Sequence, residues 1–113
     1  MPIAERQVGA VTVIDLSGKL ATSEESGHLK DKVTSVFFQG RTQVVLNLSG
    51  LTYIDSNGLG EIVACLATAR RANGTIKLSN PGKRVQDLLI LTKLLAVFDV
   101  FDSEAEAIAS FAK

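Results

Sequence analysis

Residues 43–60 read QVVLNLSGLTYIDSNGLG, and this stretch decides the fold of the chain. Its first part, Gln43 to Leu48, is a run of β-branched and apolar residues that predicts a buried strand. From about residue 58 to residue 72 apolar side chains recur at helical spacing, and residues 75–78 form a second strand-like run after Gly74. A strand, a helix and a strand in this order predict a β-α-β unit with parallel strands.

Two further strands and a helix are predicted before this unit. Residues 3–8 and 11–16 are strand-like runs joined at Gly9-Ala10, a spacing typical of an antiparallel hairpin. After Gly18 the apolar pattern changes to helical spacing, with Ser23 as the expected cap and an end near Gly40. The chain therefore begins with the order β-β-α.

The remaining elements follow the β-α-β unit. A third helix is predicted over residues 83–91, a short strand over 97–101 and a last helix over 103–111, in which Ser103 and Glu106 form a capping box. Parallel strands joined by helices need helical cover. We expect an α/β fold in a single domain over residues 1–113, with a mixed sheet, flanking helices and the order ββαβαβαβα.

Composition narrows the classes of function. Twelve basic residues balance twelve acidic ones, so the chain does not attract nucleic acid strongly and we expect protein partners. The longest apolar run, residues 62–67, is far shorter than the roughly 20 residues that span a bilayer. We therefore expect that the protein is neither inserted into a membrane nor exported. The single cysteine, Cys65, has no Cys or His companion, which predicts a cytoplasmic protein without a metal or other cofactor.

The junction between the central strand and helix carries the candidate chemistry, because open α/β sheets bind ligands at such strand ends. Ser56 is predicted to be the helix N-cap, and a cap with no further role is one interpretation. The other is a modified residue, since a helix N-terminus stabilises phosphate and Asn57, Gly58 and Gly60 leave the hydroxyl unshielded. Asp55 stabilises the helix dipole, or it orders the turn or meets a partner.

An enzyme with Ser56 as nucleophile is a further alternative. It requires a histidine base, but His28 is the only histidine and the chain has no G-x-S-x-G elbow. We therefore expect His28 to be a solvated helix residue. The glycines around Leu59 do not complete a dinucleotide-binding pattern, and the pair Gly82-Lys83 does not complete a phosphate-loop pattern. We therefore expect a protein that is not an enzyme.

The segment TYIDSNGLGEIV resembles the D-S-x-G-[LV]-G signature of STAS domains, specifically that of anti-sigma factor antagonists. The resemblance covers nearly the whole chain. It implies that Ser56 is the phosphoacceptor, that Asp55 is the acidic residue beside it, and that Asn57, Gly58 and Gly60 form the surface that meets the partner. The implied partners are a serine-kinase anti-sigma factor, which binds the unphosphorylated form, and a serine phosphatase, which restores that form.

One segment departs from this family pattern. After Gly18 the family commonly has an acidic residue and then leucine-aspartate, where this chain has Lys19, Leu20 and Ala21. Thr22 and Ser23 lie in the same loop, and we expect them to reach the same surface or to act only as caps. The alternative function is a STAS module that docks constitutively in a stressosome or a lipid-transport complex.

Overall fold

The computed structural model describes residues 3–20 and 28–112. Within these ranges the strands and helices follow the predicted order, with a short 3-10 turn added before the last strand. Their bounds are β1 Ile3–Val8, β2 Val11–Leu20, α1 His28–Phe38, β3 Gln43–Ile54, α2 Ser56–Arg71, β4 Thr75–Ser79, α3 Lys83–Leu91, the 3-10 turn Leu94–Ala96, β5 Asp99–Phe101 and α4 Glu104–Ser110.

The strands form one five-stranded sheet in the order β1-β2-β3-β4-β5. β1 and β2 pair in antiparallel orientation across the turn at Gly9-Ala10, and each later pair is parallel. Right-handed crossovers between successive parallel neighbours place α1, α2 and α3 on the same face of the sheet. The predicted α/β class, the mixed sheet and its flanking helices are confirmed.

Two apolar clusters hold the helices against the sheet. The larger cluster joins the sheet to α1, α2 and α3, and its fully buried members include Ile14, Leu46, Leu78, Leu29, Ile62 and Leu89. The smaller cluster joins the opposite face to α4 through Val11, Val13, Val45 and Ala107. Cys65 is also fully buried in the larger cluster, and this burial raises the pKa of its thiol to about 12. Cys65 thus packs as a small apolar residue.

An ion-pair cluster secures α4 to the first two strands. The guanidinium of Arg6 donates to both carboxylate oxygens of Asp15, at 2.6 and 2.9 Å, and also bonds to Glu104 at the start of α4. Asn47 donates a further hydrogen bond of 2.8 Å to Asp15. These bonds, first from Arg6 and then from Asn47, lower the pKa of Asp15. The carboxylate thus remains ionised and keeps α4 against this face of the sheet.

Strands β2 and β3 are longer than predicted, because they remain paired beyond the apolar runs visible in the sequence. β2 continues to Leu20 and β3 to Ile54, with Leu20 opposite Ile54 in the register. Gly50 permits this extension, since a Cβ there would lie 2.7 Å from the carbonyl oxygen of Leu16. The extended pair carries the chain directly to the first residue of α2.

Other predicted boundaries need smaller corrections. α1 ends at Phe38, and Gly40, with φ +87°, ends the turn as expected. The last strand starts at Asp99 rather than at residue 97, because the 3-10 turn uses the preceding residues. The capping box at α4 is confirmed, since the N–H of Glu106 donates to Ser103 Oγ at 3.2 Å. The predicted cap Ser23 lies outside the described residues.

The start of α2 packs directly on the end of β2. A Cβ on Gly58 would lie 2.0 Å from the carbonyl oxygen of Leu20, a distance at which the helix or the strand must move. By contrast, a Cβ on Gly60 would meet no atom of the described residues within 4 Å. Gly58 therefore fixes how closely α2 approaches the sheet, whereas Gly60 faces open space in the described part of the chain.

Substituting these two glycines should have opposite effects on stability. We expect Gly58→Ala to lower the free energy of unfolding by about 1–3 kcal/mol, because the added methyl group overpacks a fixed backbone contact. Gly60→Ala is the matched control and should raise it by roughly 0.5–1 kcal/mol through helix propensity. Urea unfolding of both variants measures this difference. Equal free energies for the two variants would show that Gly58 does not set the spacing.

Candidate functional site

The candidate site lies at the carboxyl end of the parallel sheet, where β3 passes into α2. Leu20 at the end of β2 pairs with Ile54, and its carbonyl oxygen also accepts a hydrogen bond of 3.4 Å from the N–H of Asp55. Helix N-termini at this edge of an α/β sheet present backbone N–H groups to ligands. The paired strands therefore hold the first turn of α2 at the edge where such sheets bind partners.

Asp55 caps α2, which corrects the prediction that Ser56 is the N-cap. The backbone of Asp55 is extended, with φ −116° and ψ −175°, and one carboxylate oxygen accepts a hydrogen bond of 2.8 Å from the N–H of Gly58. The N–H of Leu59 donates to the Asp55 carbonyl oxygen at 2.9 Å, which closes the first helical turn. Aspartate serves as well as serine in this role, so the helix begins one residue earlier than the serine cap implied.

Ser56 is consequently the first residue of the helix and not its cap. Its side chain is exposed, and its hydroxyl forms no hydrogen bond with another residue in the ranges 3–20 and 28–112. The helix itself cannot satisfy the N–H groups of its first turn, and its dipole stabilises negative charge there. The hydroxyl is thus accessible for modification at a position that favours an anion.

The other predicted site residues occupy different depths around Ser56. Asn57 and Gly60 are exposed beside it, and Asp55 is half-buried. Gly58 is buried against the end of β2, so it supports this surface from below. The remaining two predicted contacts, Thr22 and Ser23, fall in residues 21–27, outside the described part of the chain.

The structure adds a flank to the site that the sequence did not identify. The guanidinium of Arg84, in the first turn of α3, lies 5.8 Å from the ring centroid of the partly exposed Tyr53. Beside them a shallow groove runs between Ile54 and α3, and Leu91 at its end is 79% exposed.

The described residues offer no assembled catalytic group or metal site. His28 is exposed at the start of α1, as predicted, and no hydrogen bond within the described ranges joins it to Ser56. Within those ranges no three His, Cys, Asp or Glu side chains converge as metal ligands would. No helix in the same ranges has both the length and the apolar character of a membrane span.

The capping assignment predicts different costs for two adjacent alanine substitutions. Asp55→Ala should lower the free energy of unfolding by about 1 kcal/mol, because the N–H of Gly58 loses its acceptor. Ser56→Ala should change it by less than about 0.5 kcal/mol, as expected for an exposed residue without a partner. Urea unfolding measures both variants. A larger loss for Ser56→Ala than for Asp55→Ala would mean that the serine is the cap after all.

Comparison with known proteins places most of the chain in one family. The model of the STAS domain matches residues 2–107. A relative from Thermotoga neapolitana, named as a homologue of an anti-sigma factor antagonist, is 34% identical over 86 residues, which are 74% of this chain and 76% of the relative. The match therefore includes most of both sequences.

Solved structures agree with the sequence matches. The crystal structure of an anti-sigma factor antagonist from Thermotoga maritima has a TM-score of 0.89 and 26% identity, covering 98% of this chain and 95% of that one. The phosphorylated form of SpoIIAA from Bacillus has the same fold, with a TM-score of 0.74 and 23% identity over 97% of this chain and 99% of that one. The chain belongs to the STAS domain family, and its relatives are named as anti-sigma factor antagonists.

Proposed function

We propose that this protein is a cytoplasmic anti-sigma factor antagonist that regulates transcription by partner switching. In its unmodified form it binds a serine-kinase anti-sigma factor through the surface around Ser56, which frees the sigma factor. Phosphorylation of Ser56 by that kinase ends the complex, and a serine phosphatase restores the binding form. The observation that carries the proposal is the exposed Ser56 hydroxyl, which has no hydrogen-bond partner in the described part of the chain.

The local structure is suited to a phosphate without a change of fold. The cap of α2 is supplied by Asp55, so modifying Ser56 removes no hydrogen bond that holds the helix. A phosphate adds nearly two negative charges at pH 7, and the helix dipole stabilises such charge at this end. The start of α2 is also held from below by the close packing of Gly58 on Leu20. Phosphorylation should therefore leave the backbone in place.

The same phosphate would oppose a protein contact at this surface. It would stand beside the carboxylate of Asp55, and like charges repel. A partner that covers the surface must also remove water from the phosphate, which costs several kcal/mol unless a cation replaces that water. Phosphorylation thus changes the charge and bulk of the interface rather than the folded structure, and this supports a switch in partner affinity.

The contact surface extends beyond the first turn of α2. Asn57 and Gly60 lie exposed on the helix, and the Tyr53–Arg84 pair and the exposed Leu91 lie on the α3 side. An aromatic ring and an arginine are enriched among residues that dominate binding energy at interfaces. We propose that the kinase covers both parts, with Ser56 at their junction.

The experiment combines phosphate transfer with binding. Wild type and Ser56→Ala are incubated with ATP and a serine-kinase anti-sigma factor from the same organism, and intact mass with peptide mapping locates the phosphate. We expect one phosphate on Ser56 in the wild type and none in the variant. Kinase affinity should be the same for both unmodified proteins and should fall at least about tenfold for the phosphorylated wild type, since a buried unpaired charge costs more than 1.4 kcal/mol.

A matched control separates the site from a general effect of charge. Ser35 is an exposed serine on α1, so Ser35→Asp adds a negative charge away from the proposed interface. We expect Ser35→Asp to bind the kinase like wild type and Ser56→Asp to bind it more weakly. Equal binding by the phosphorylated and unmodified forms would contradict the switch. Absence of phosphate with every cognate kinase would favour the constitutive docking module instead.

A further inference from the structure

A second surface lies between α1 and the last turns of α2. It is an open groove of about 500 Å³ at the end of α2 opposite to Ser56, and Phe38 on its wall is 90% exposed. The 16 residues of α2 place the two ends of this helix about 24 Å apart. From its shape and charge we propose that the groove binds an acidic amphipathic peptide segment of a partner protein, and this goes beyond the proposed function at Ser56.

The floor of the groove is rigid and apolar. Phe37 is 8% exposed, and its ring lies so close to Gly74 that a Cβ on that glycine would be 2.4 Å from a ring carbon. This contact fixes the Phe37 ring, while its neighbour Phe38 projects into solvent. A fixed apolar floor beside an exposed aromatic ring is the kind of surface into which an amphipathic helix lays its apolar side chains.

The charged side chains that line the groove, among the residues that the structure describes, have a single sign. Lys30 and Arg71 are the charged residues that line it, and none of the lining residues is acidic. One Nη of Arg71 donates to Thr68 Oγ1 at 3.3 Å, and both residues line the groove. The carboxyl ends of α1 and α2 each carry about half a negative charge, and the two full positive charges exceed this sum. They favour an acidic occupant.

The separation of the two cations favours a peptide over a small anionic lipid. Lys30 is in the first turn of α1, eight residues and about 12 Å along the helix from Phe38, whereas Arg71 is in the last turn of α2. A fatty acid carries one carboxylate, which can neutralise only one of these cations. A helical segment with acidic side chains along its length can meet both while its apolar side chains cover Phe38.

The test is a titration of the full ¹⁵N-labelled chain with a synthetic probe. The probe is a helical peptide of about 14 residues, with leucine at positions i, i+3, i+4 and i+7 and glutamate elsewhere. A matched peptide has lysine in place of each glutamate. We expect the acidic peptide to shift the amide signals of Thr34, Phe38 and Ala72 with an affinity that falls as salt rises, and the basic peptide to leave them unchanged.

Variants connect this binding to the groove. Phe38 is exposed, so the fold should tolerate Phe38→Ala. This change should lower the affinity for the acidic peptide at least about fivefold, as expected for an aromatic anchor. Ile90→Ala removes a 55% exposed apolar side chain outside the groove and should have no effect. The double variant Lys30→Glu/Arg71→Glu should bind the basic peptide in preference to the acidic one. Phosphorylation of Ser56 should leave the affinity for the acidic peptide unchanged.

Several outcomes would overturn the proposal. Equal binding of the acidic and basic peptides would remove the role of the two cations, and binding unaffected by Phe38→Ala would place the peptide elsewhere. Light scattering could show a molecular mass that doubles as the protein concentration rises. If Phe38→Ala then restores the mass of a single chain, the occupant is a second copy of this chain. Signals shifted by myristate vesicles but not by the peptide would identify a lipid. None of these outcomes depends on whether Ser56 is phosphorylated.

Discussion

The contact between the end of β2 and the start of α2 determines the geometry of the candidate site. The carbonyl oxygen of Leu20 accepts a hydrogen bond from Asp55, and the backbone of Gly58 lies so close that no side chain fits between them. This contact exists because β2 and β3 remain paired as far as Leu20 and Ile54. A strand pair of this length brings the first turn of α2 to the edge of the sheet in a fixed orientation.

Two neighbouring residues consequently have separate roles: one caps the helix, and the other presents an accessible hydroxyl. Asp55 uses its side chain to hold the helix, which leaves the Ser56 hydroxyl outside the hydrogen bonds formed among residues 3–20 and 28–112. A serine hydroxyl that capped its helix would have to exchange that hydrogen bond for one to the phosphate on modification, which would couple the helix start to the switch. In this arrangement charge can be added at the surface while the helix start stays intact, as a switch in binding requires.

Much of the fold was predictable, because its elements follow local patterns. Apolar spacing identified the central strand and α2, and Ser103 with Glu106 marked the start of α4. The full length of β2 and β3 was not predictable, since residues 49–54 are held by pairing across strands rather than by their own apolar pattern. The exposure of Phe38 and Leu91 was equally hidden, because sequence does not show which apolar side chains lack a covering element.

The site was predictable in position but not in detail. The D-S-N-G sequence located the helix start, yet Asp55 and Ser56 are both good capping residues. The extended backbone of Asp55 and the hydrogen bond that its carboxylate accepts from Gly58 distinguish them. Gly58 and Gly60 looked equivalent in the sequence, whereas the structure places one against Leu20 and the other at the exposed surface. That difference depends on a contact between residues far apart in the chain.

The most direct test is the free energy of unfolding in urea of the chain phosphorylated at Ser56, compared with that of the unmodified chain. If Asp55 holds the helix and Ser56 is independent of it, phosphorylation should not lower the free energy of unfolding by more than about 0.5 kcal/mol, because no capping bond is lost and the helix dipole favours the added charge. A loss of about 1 kcal/mol or more on phosphorylation would show that Ser56 helps to hold the helix, and would contradict a switch confined to the binding surface.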